Sequence, residues 1–273
     1  MPTGSITDML GLEEIDRDIY RASFVIEGGR HLYGGQVAAQ ALMAAGLTVD
    51  GDRRPHSLHG YFLRAGEADR PTVFRVERDR DGRSFSARRV VALQRGAVLF
   101  NMACSFHVPV DGIEEQVAVP PTLAAPDDLP PYTHGLVSVD MRAPADSPYG
   151  WAWPTRFWVR VTEDLGEGEL VNACALTYVS DISTGLVKWA DAQRGPGPSI
   201  DHTVYFHRPL RADRWVLLDL VPHIVAQGRG VYTGSISGSD GRQAVTLVQE
   251  GLFWGDMGMV PPASHVAGYG TGS

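Results

Sequence analysis

The apolar and polar positions of the chain fall into two similar series separated by a proline-rich stretch. In the first series, Ile15 to Tyr20 and Ala22 to Glu27 read as strands that end at the Gly28-Gly29 turn. The run from Gln36 to Gly46 is rich in alanine and apolar on nearly every face, which predicts a helix buried all round. His56 to Arg64, Thr72 to Asp79, Ser84 to Leu93 and Ala97 to His107 follow as four strands, with Asp81-Gly82 and Arg95-Gly96 suited to tight connections. Val108 to Pro154 is crowded with prolines and reads as a linker, ordered in part against the surface. Beyond it, Thr155 to Val161 and Leu170 to Val179 are strand-like, and a second buried helix is expected from Ile182 to Gln193. Asp201 to His207, Val216 to Val221, Gly230 to Ser237 and Gln243 to Phe253 complete the second series.

The repeat is written in the residues as well as in the pattern. Tyr61-Phe62-Leu63-Arg64 recurs as Tyr205-Phe206-His207-Arg208, and Ala68-Asp69-Arg70 as Ala212-Asp213-Arg214, each 144 positions on. Gly82-Arg83 and Gly96 find counterparts in Gly228-Arg229 and Gly241 at nearly the same spacing, and the helix from about Gly35 is paired with one from about Asp181. Two copies of strand, buried helix and antiparallel strands predict an α+β fold in which each sheet wraps its own helix. The expected units are 1–108, a linker 109–154, a second domain 155–258 and a flexible tail 259–273.

Composition narrows the class. A formal charge of -8 over 273 residues disfavours a general nucleic-acid binder, which needs a basic face to displace counterions. The two cysteines, Cys104 and Cys174, sit among apolar neighbours and read as reduced core residues. No Cys/His spacing suggests a metal, no apolar run approaches the length of a membrane span, and Met1 to Leu12 has no basic n-region or apolar core. An intracellular, cytoplasmic protein without a membrane partner is expected, as a homo-oligomer of two chains or more.

Three polar residues stand out in the second series. Asp181 falls at the predicted strand-to-helix boundary, where a carboxylate accepts from the first free N–H groups of a helix, so helix capping is its simplest reading. Ser199 opens the next strand-like run, and Gln249 stands in a run that is otherwise apolar. Each has an ordinary structural explanation alone.

Four blocks of sequence carry a resemblance. His31-Leu32-Tyr33-Gly34-Gly35-Gln36-Val37-Ala38-Ala39-Gln40-Ala41, His56 to Arg64, Asp81 to Val90 and Asp201 to Pro209 resemble the acyl-CoA thioesterase II family. The resemblance runs from about residue 10 to residue 255, apart from the linker, and implies a double hot-dog fold. It also implies hydrolysis of acyl-CoA thioesters by an Asp, a Thr or Ser and a Gln of the second hot dog, without metal or cofactor. Matched by motif, these are Asp181, Ser199 and Gln249, with serine where threonine is the commoner residue. Gly34, Gly35, His59, Arg83 and Arg88 are the candidate substrate contacts, the two arginines as partners for the phosphates of coenzyme A.

The chemistry suits these residue types. Thioester hydrolysis needs an activated water, a donor for the oxyanion and groups that orient the water. Asp181 can take the proton, Ser199 and Gln249 can hold the water, and N–H groups at a helix start can polarise the carbonyl. Direct attack by the Asp181 carboxylate stays open, as do two other functions. An acyl-CoA hydratase or dehydratase would need a histidine placed beside the acid, and a non-catalytic acyl-CoA-binding module would have no use for the polar trio.

Overall fold

A computed structural model of the chain describes residues 4–29, 31–132, 134–145, 154–182, 185–186 and 196–253. A short helix α1 (Ile6–Leu10) leads into strands β1 (Leu12–Asp16) and β2 (Ile19–Ala22), helix α2 (Gly34–Gly46) and strands β3 (Arg54–Phe62), β4 (Thr72–Asp81), β5 (Phe85–Gln94) and β6 (Ala97–His107). The second half repeats the order with β7 (Val139–Arg142), β8 (Arg156–Val161), α3 (Glu169–Ser180), the short β9 (Pro196–Ser199), β10 (Asp201–Phe206), β11 (Val216–Ala226), β12 (Arg229–Gly238) and β13 (Gln243–Phe253).

Strand alternation explains why this sequence forms a sheet with one covered face. In β5 the even positions Ser86, Arg88, Val90, Ala92 and Gln94 are buried, and Phe85 and Arg89 are exposed. The strands lie in the order β1-β2-β4-β5-β6-β3-β10-β13-β12-β11-β8-β7, with every pairing antiparallel. Each half therefore forms its own sheet, and the two join edge to edge through β3 and β10. In that seam His59 faces Thr203, Tyr61 faces Asp201 and Ser57 faces Tyr205. His59 and Thr203 are 144 residues apart, the spacing of the sequence repeat, so a pseudo-two-fold axis passes between them. The hairpin glycines Gly96 and Gly241, one residue off that spacing, share a left-handed φ of 77° and 79°.

The helices run in opposite directions under this sheet. Near the start of α2 a Cβ on Gly35 would strike the Tyr178 carbonyl, and near its end a Cβ on Gly46 would strike the Leu170 side chain at 2.5 Å. Only glycine permits an approach this close. From Gly35 to Gly46 every residue of α2 is buried, as the alanine-rich run predicts.

Two expectations are corrected here. Leu170 to Val179 is not a strand but most of α3, which ends at Ser180 with Asp181 as its C-terminal cap residue. From Asn172 to Val179 every residue is buried, and such a segment has no period that separates helix from strand. The second helix thus precedes Asp181. The helix expected over 182–193 falls mostly outside the described residues, as do the last residues of the second unit and the tail 259–273. The proline-rich stretch holds β7 and packs on the second half, where Trp158 Nε1 donates to Ala124 O at 2.8 Å.

Candidate active site

Asp181 is buried, with 3% of its surface exposed, and lies where the end of α3 meets the start of α2. The cap residue of α2, Tyr33, offers its helix no side-chain bond, and the first turn of α2 carries no acidic residue. The carboxylate of Asp181 serves there, accepting the backbone N–H of Gly35. A Cβ on Gly34 would lie 2.5 Å from Asp181 Oδ2 and 3.0 Å from the Phe62 ring, so the glycine leaves the carboxylate its place. Capping and macrodipole are the forces expected from the sequence, acting from the other half's helix. The end of α3 is anchored beside it by Tyr33, whose hydroxyl donates to Tyr178 O at 2.9 Å, and by His202.

Two strands close the site from below. Gln249 of β13 donates its Nε2 to Asp181 Oδ1 at 2.6 Å and also bonds Ser199 Oγ, while Ser199, at the end of β9, donates to the same Asp181 oxygen at 3.4 Å. The sequence suggested that the three share a water; the structure joins them directly. Gln249 Oε1 accepts from Tyr232 OH of β12 at 2.5 Å. Ser180 Oγ donates to Thr177 O at 2.9 Å, which leaves His202 Nε2–H as the donor in its 2.7 Å contact with Ser180.

Burial dominates the electrostatics. It pushes the Asp181 carboxyl up to about 7, against the pull of the bonds from Gln249, Gly35 and Ser199. Burial also pushes His202 down to about 4, with the Gln249 carboxamide opposing, so the imidazole is neutral at neutral pH. A carboxylate with its proton affinity near neutrality, held at a positive helix end, is equipped to take a proton from water and give it back.

The structure brings Asp181, Ser199, Gln249, Gly34 and Gly35 together. It does not bring His59 there. His59 points to the outer, exposed face of β3, where its Nδ1 meets Thr203 Oγ1 at 3.3 Å, because Leu58 and Gly60 take the inner face.

Arg88 is a correction of a different kind. It is 1% exposed, and all five of its N–H groups are spent inside the first half: Nε on Thr48 Oγ1, Nη1 on the carbonyls of Arg80 and Ala87, Nη2 on Thr48 O and Asp81. None remains for a phosphate. Arg83 is exposed and lines, with Arg80, His56, Phe85 and three serines, a cleft of about 550 Å³. That cleft lies at the Arg54 end of β3, whereas the Asp181 site lies at the Phe62 end, roughly 20 Å along the strand. Among the described residues no group of three His, Cys, Asp or Glu side chains is arranged to hold a metal.

Tyr232 and His202 were not among the predicted site residues. The signal for Tyr232 was its cross-strand position opposite Gln249, which no reading of one strand reveals.

Comparison with known proteins agrees with this architecture. Residues 26–107 match the acyl-CoA thioesterase N-terminal domain and residues 114–253 the acyl-CoA thioesterase C-terminal domain. The chain belongs to the acyl-CoA thioesterase family. Acyl-coenzyme A thioesterase 8 of Rattus norvegicus is 33% identical over 91% of this chain and 88% of its own length. Acyl-CoA thioesterase 2 of Haemophilus influenzae is 32% identical over 91% of this chain and 96% of its own. A crystal structure of an acyl-CoA thioesterase II from Mycobacterium marinum is 38% identical, covers 94% of this chain and 99% of its own, and superposes with a TM-score of 0.78. A protein with the hot dog fold from Alicyclobacillus acidocaldarius, 19% identical with a TM-score of 0.75, shares the fold.

Among the described residues the thioesterase has one such site, although it has two copies of the fold. The pseudo-symmetry relates Gln249 to Cys104, Tyr232 to Arg88 and His202 to Leu58, since Cys104 lies between Arg88 and Leu58 as Gln249 lies beside Tyr232. At the counterpart position the polar row is replaced by a thiol, a leucine and an internally satisfied arginine.

Proposed function

We propose that this thioesterase hydrolyses acyl-CoA to a carboxylic acid and coenzyme A with Asp181 as the base, Ser199 and Gln249 as the groups that orient it and its water, and the start of α2 as the pole that faces the developing oxyanion. Water adds to the thioester carbonyl and yields its proton to Asp181. The tetrahedral oxyanion collapses, the C–S bond breaks, and the proton passes to the departing thiolate. The observation that carries this reading is the division of one carboxylate between two halves of the protein. Oδ1 is held by Gln249 and Ser199, and Oδ2 lies beside Gly34 at the N-terminus of α2.

Hydration of an enoyl thioester is less well served. It calls for a histidine beside the acid, and His202 is turned to Ser180 and held neutral by burial. The deciding experiment measures thiol release from acyl-CoA by Asp181→Asn alongside acyl-CoA binding by calorimetry. Binding retained with turnover lowered about a hundredfold or more fits the base assignment, and undiminished turnover refutes it.

Two further assignments belong to this reading. Arg83, in a cleft whose lining holds two arginines and no acid, is assigned to the phosphates of coenzyme A. The chain is assigned to a homo-oligomer because the outer face at the pseudo-two-fold exposes Tyr61, Leu63 and Tyr205, which sedimentation would test. No helix among the described residues is long and apolar enough to cross a membrane. Both cysteines are unpaired and buried, which fits the reducing cytoplasm.

A further inference from the structure

A carboxamide has two ends of nearly equal size, and which end meets Asp181 decides what Gln249 does. With Nε2 forward it donates to the carboxylate; turned over, it would place a carbonyl oxygen against it. Asp181 favours the first arrangement only while it is ionised. Something else must hold the amide when Asp181 carries the proton.

The other end of the amide meets Tyr232. The two residues face each other across β12 and β13, Tyr232 is 1% and Gln249 0% exposed, and the phenol donates to Oε1 at 2.5 Å. The ring itself has little room to swing, since a Cβ on Gly185 would overlap it. On the far side of Gln249, His202 holds Ser180, the residue before Asp181. The site is thus laid out as a row across three strands that presses on the end of α3. In the first half the corresponding row of Arg88, Cys104 and Leu58 has no amide and no phenol.

We propose that Tyr232 is a positioning residue for hydrolysis: its hydroxyl fixes the orientation of the Gln249 carboxamide, and through it the aim of the Asp181 carboxylate. The proposal rests on the assignment of Asp181 as the base. A phenol that only satisfied a buried amide would contribute stability and nothing more, so the test uses readouts that stability does not move.

Tyr232→Phe keeps the ring and removes the donor. Expected are a fall in kcat of about 10- to 100-fold with KM for acyl-CoA unchanged, and an acid limb of the rate profile moved to higher pH, because the Gln249 bond is among those that hold the Asp181 pKa down. In a Gln249→Ala background the same change should cost less than about twofold, since the group it positions is gone. An unshifted limb with full kcat, or a loss that multiplies in full with Gln249→Ala, overturns the proposal.

Should Tyr232→Phe fail to fold, replacing Tyr232 with 3-fluorotyrosine alters the acidity of the donor with almost no change of shape. The stronger donor should move the limb to lower pH, and an unmoved limb counts against the proposal. Asp181→Asn serves as the control: if it stays active, the base assignment has failed. If it is inactive while Tyr232→Phe behaves as the parent enzyme, Tyr232 alone is wrong.

Discussion

Gly35 donates its backbone N–H to the carboxylate of Asp181, so the helix of one half and the acid of the other form a single unit. Gln249 holds the carboxylate at Oδ1, while Oδ2 lies beside Gly34 at the positive end of α2, the pole proposed for the oxyanion. With Asp181 as the proposed base, the chemistry depends on the closeness of this approach.

Gly34→Ala tests that closeness. The added methyl would lie 2.5 Å from Asp181 Oδ2 and 3.0 Å from the Phe62 ring, and the carboxylate must give way. A displacement on the order of 1 Å costs about a hundredfold in rate, so thiol release should fall by about that factor. Parent-like kcat would mean that the carboxylate's position is not critical.

The raised pKa of Asp181 has consequences for stability as well as rate. Activity should rise through about pH 7 and level off above it, as the base loses its proton. Between the ordinary carboxyl value of 3.8 and about 7 the folded protein binds a proton that the unfolded chain does not. Stability from this group is therefore lost as pH rises through that window and stays reduced above it. Asp181→Asn removes the charge, so its stability relative to the parent should be greater at pH 8 than at pH 4.5, by about 2 to 4 kcal/mol. Denaturant melts at the two pH values check the sign; a difference that shrinks with pH contradicts it.

For Arg83 the discriminating measurement is a pair of substrates. Arg83→Ala should raise KM for acyl-CoA several-fold and leave hydrolysis of the matching acyl-pantetheine, which lacks the phosphates, unchanged. Equal effects on both would remove Arg83 from the phosphate site.

Arg88→Met should act on the fold instead. It takes the guanidinium donors from the carbonyls of Thr48, Arg80 and Ala87, leaves the Thr48 hydroxyl only its own bond to Ala45 O, and deprives Asp81 of the guanidinium that holds its pKa down. The expected loss is about 2 to 4 kcal/mol, less than for a fully buried pair because Asp81 is half exposed. KM for acyl-CoA should not change in the folded fraction, whereas a raised KM with parent stability would return Arg88 to the substrate.

Much of this architecture was legible in the pattern of residues. Alternation predicted β3 to β6 and β10 to β13, and the 144-residue spacing of Tyr61 and Tyr205 proved to be the pseudo-two-fold of the seam. The helices divided by composition: α2 has five alanines among its thirteen residues and reads as helix, whereas α3 mixes Val171, Thr177, Tyr178 and Val179 with leucine and reads equally as strand. Misplacing α3 put Asp181 at the wrong end of the wrong helix, yet the capping physics carried over intact to α2. Arg88 was misread because a charged residue in a strand is usually solvated, and only the packing around Thr48 and Asp81 shows its donors spent.

The seam through His59 and Thr203 turns an assembly problem into a matter of chain connectivity. In two separate chains, a centre built from the helix start of one partner and the acid of another would form only above their dissociation constant. Tethering the partners through residues 109–154 replaces that encounter with a fixed effective concentration. Dilution therefore leaves the centre whole, and the first copy of the fold, which lacks the polar row, is free to diverge, as at Arg88 and Cys104.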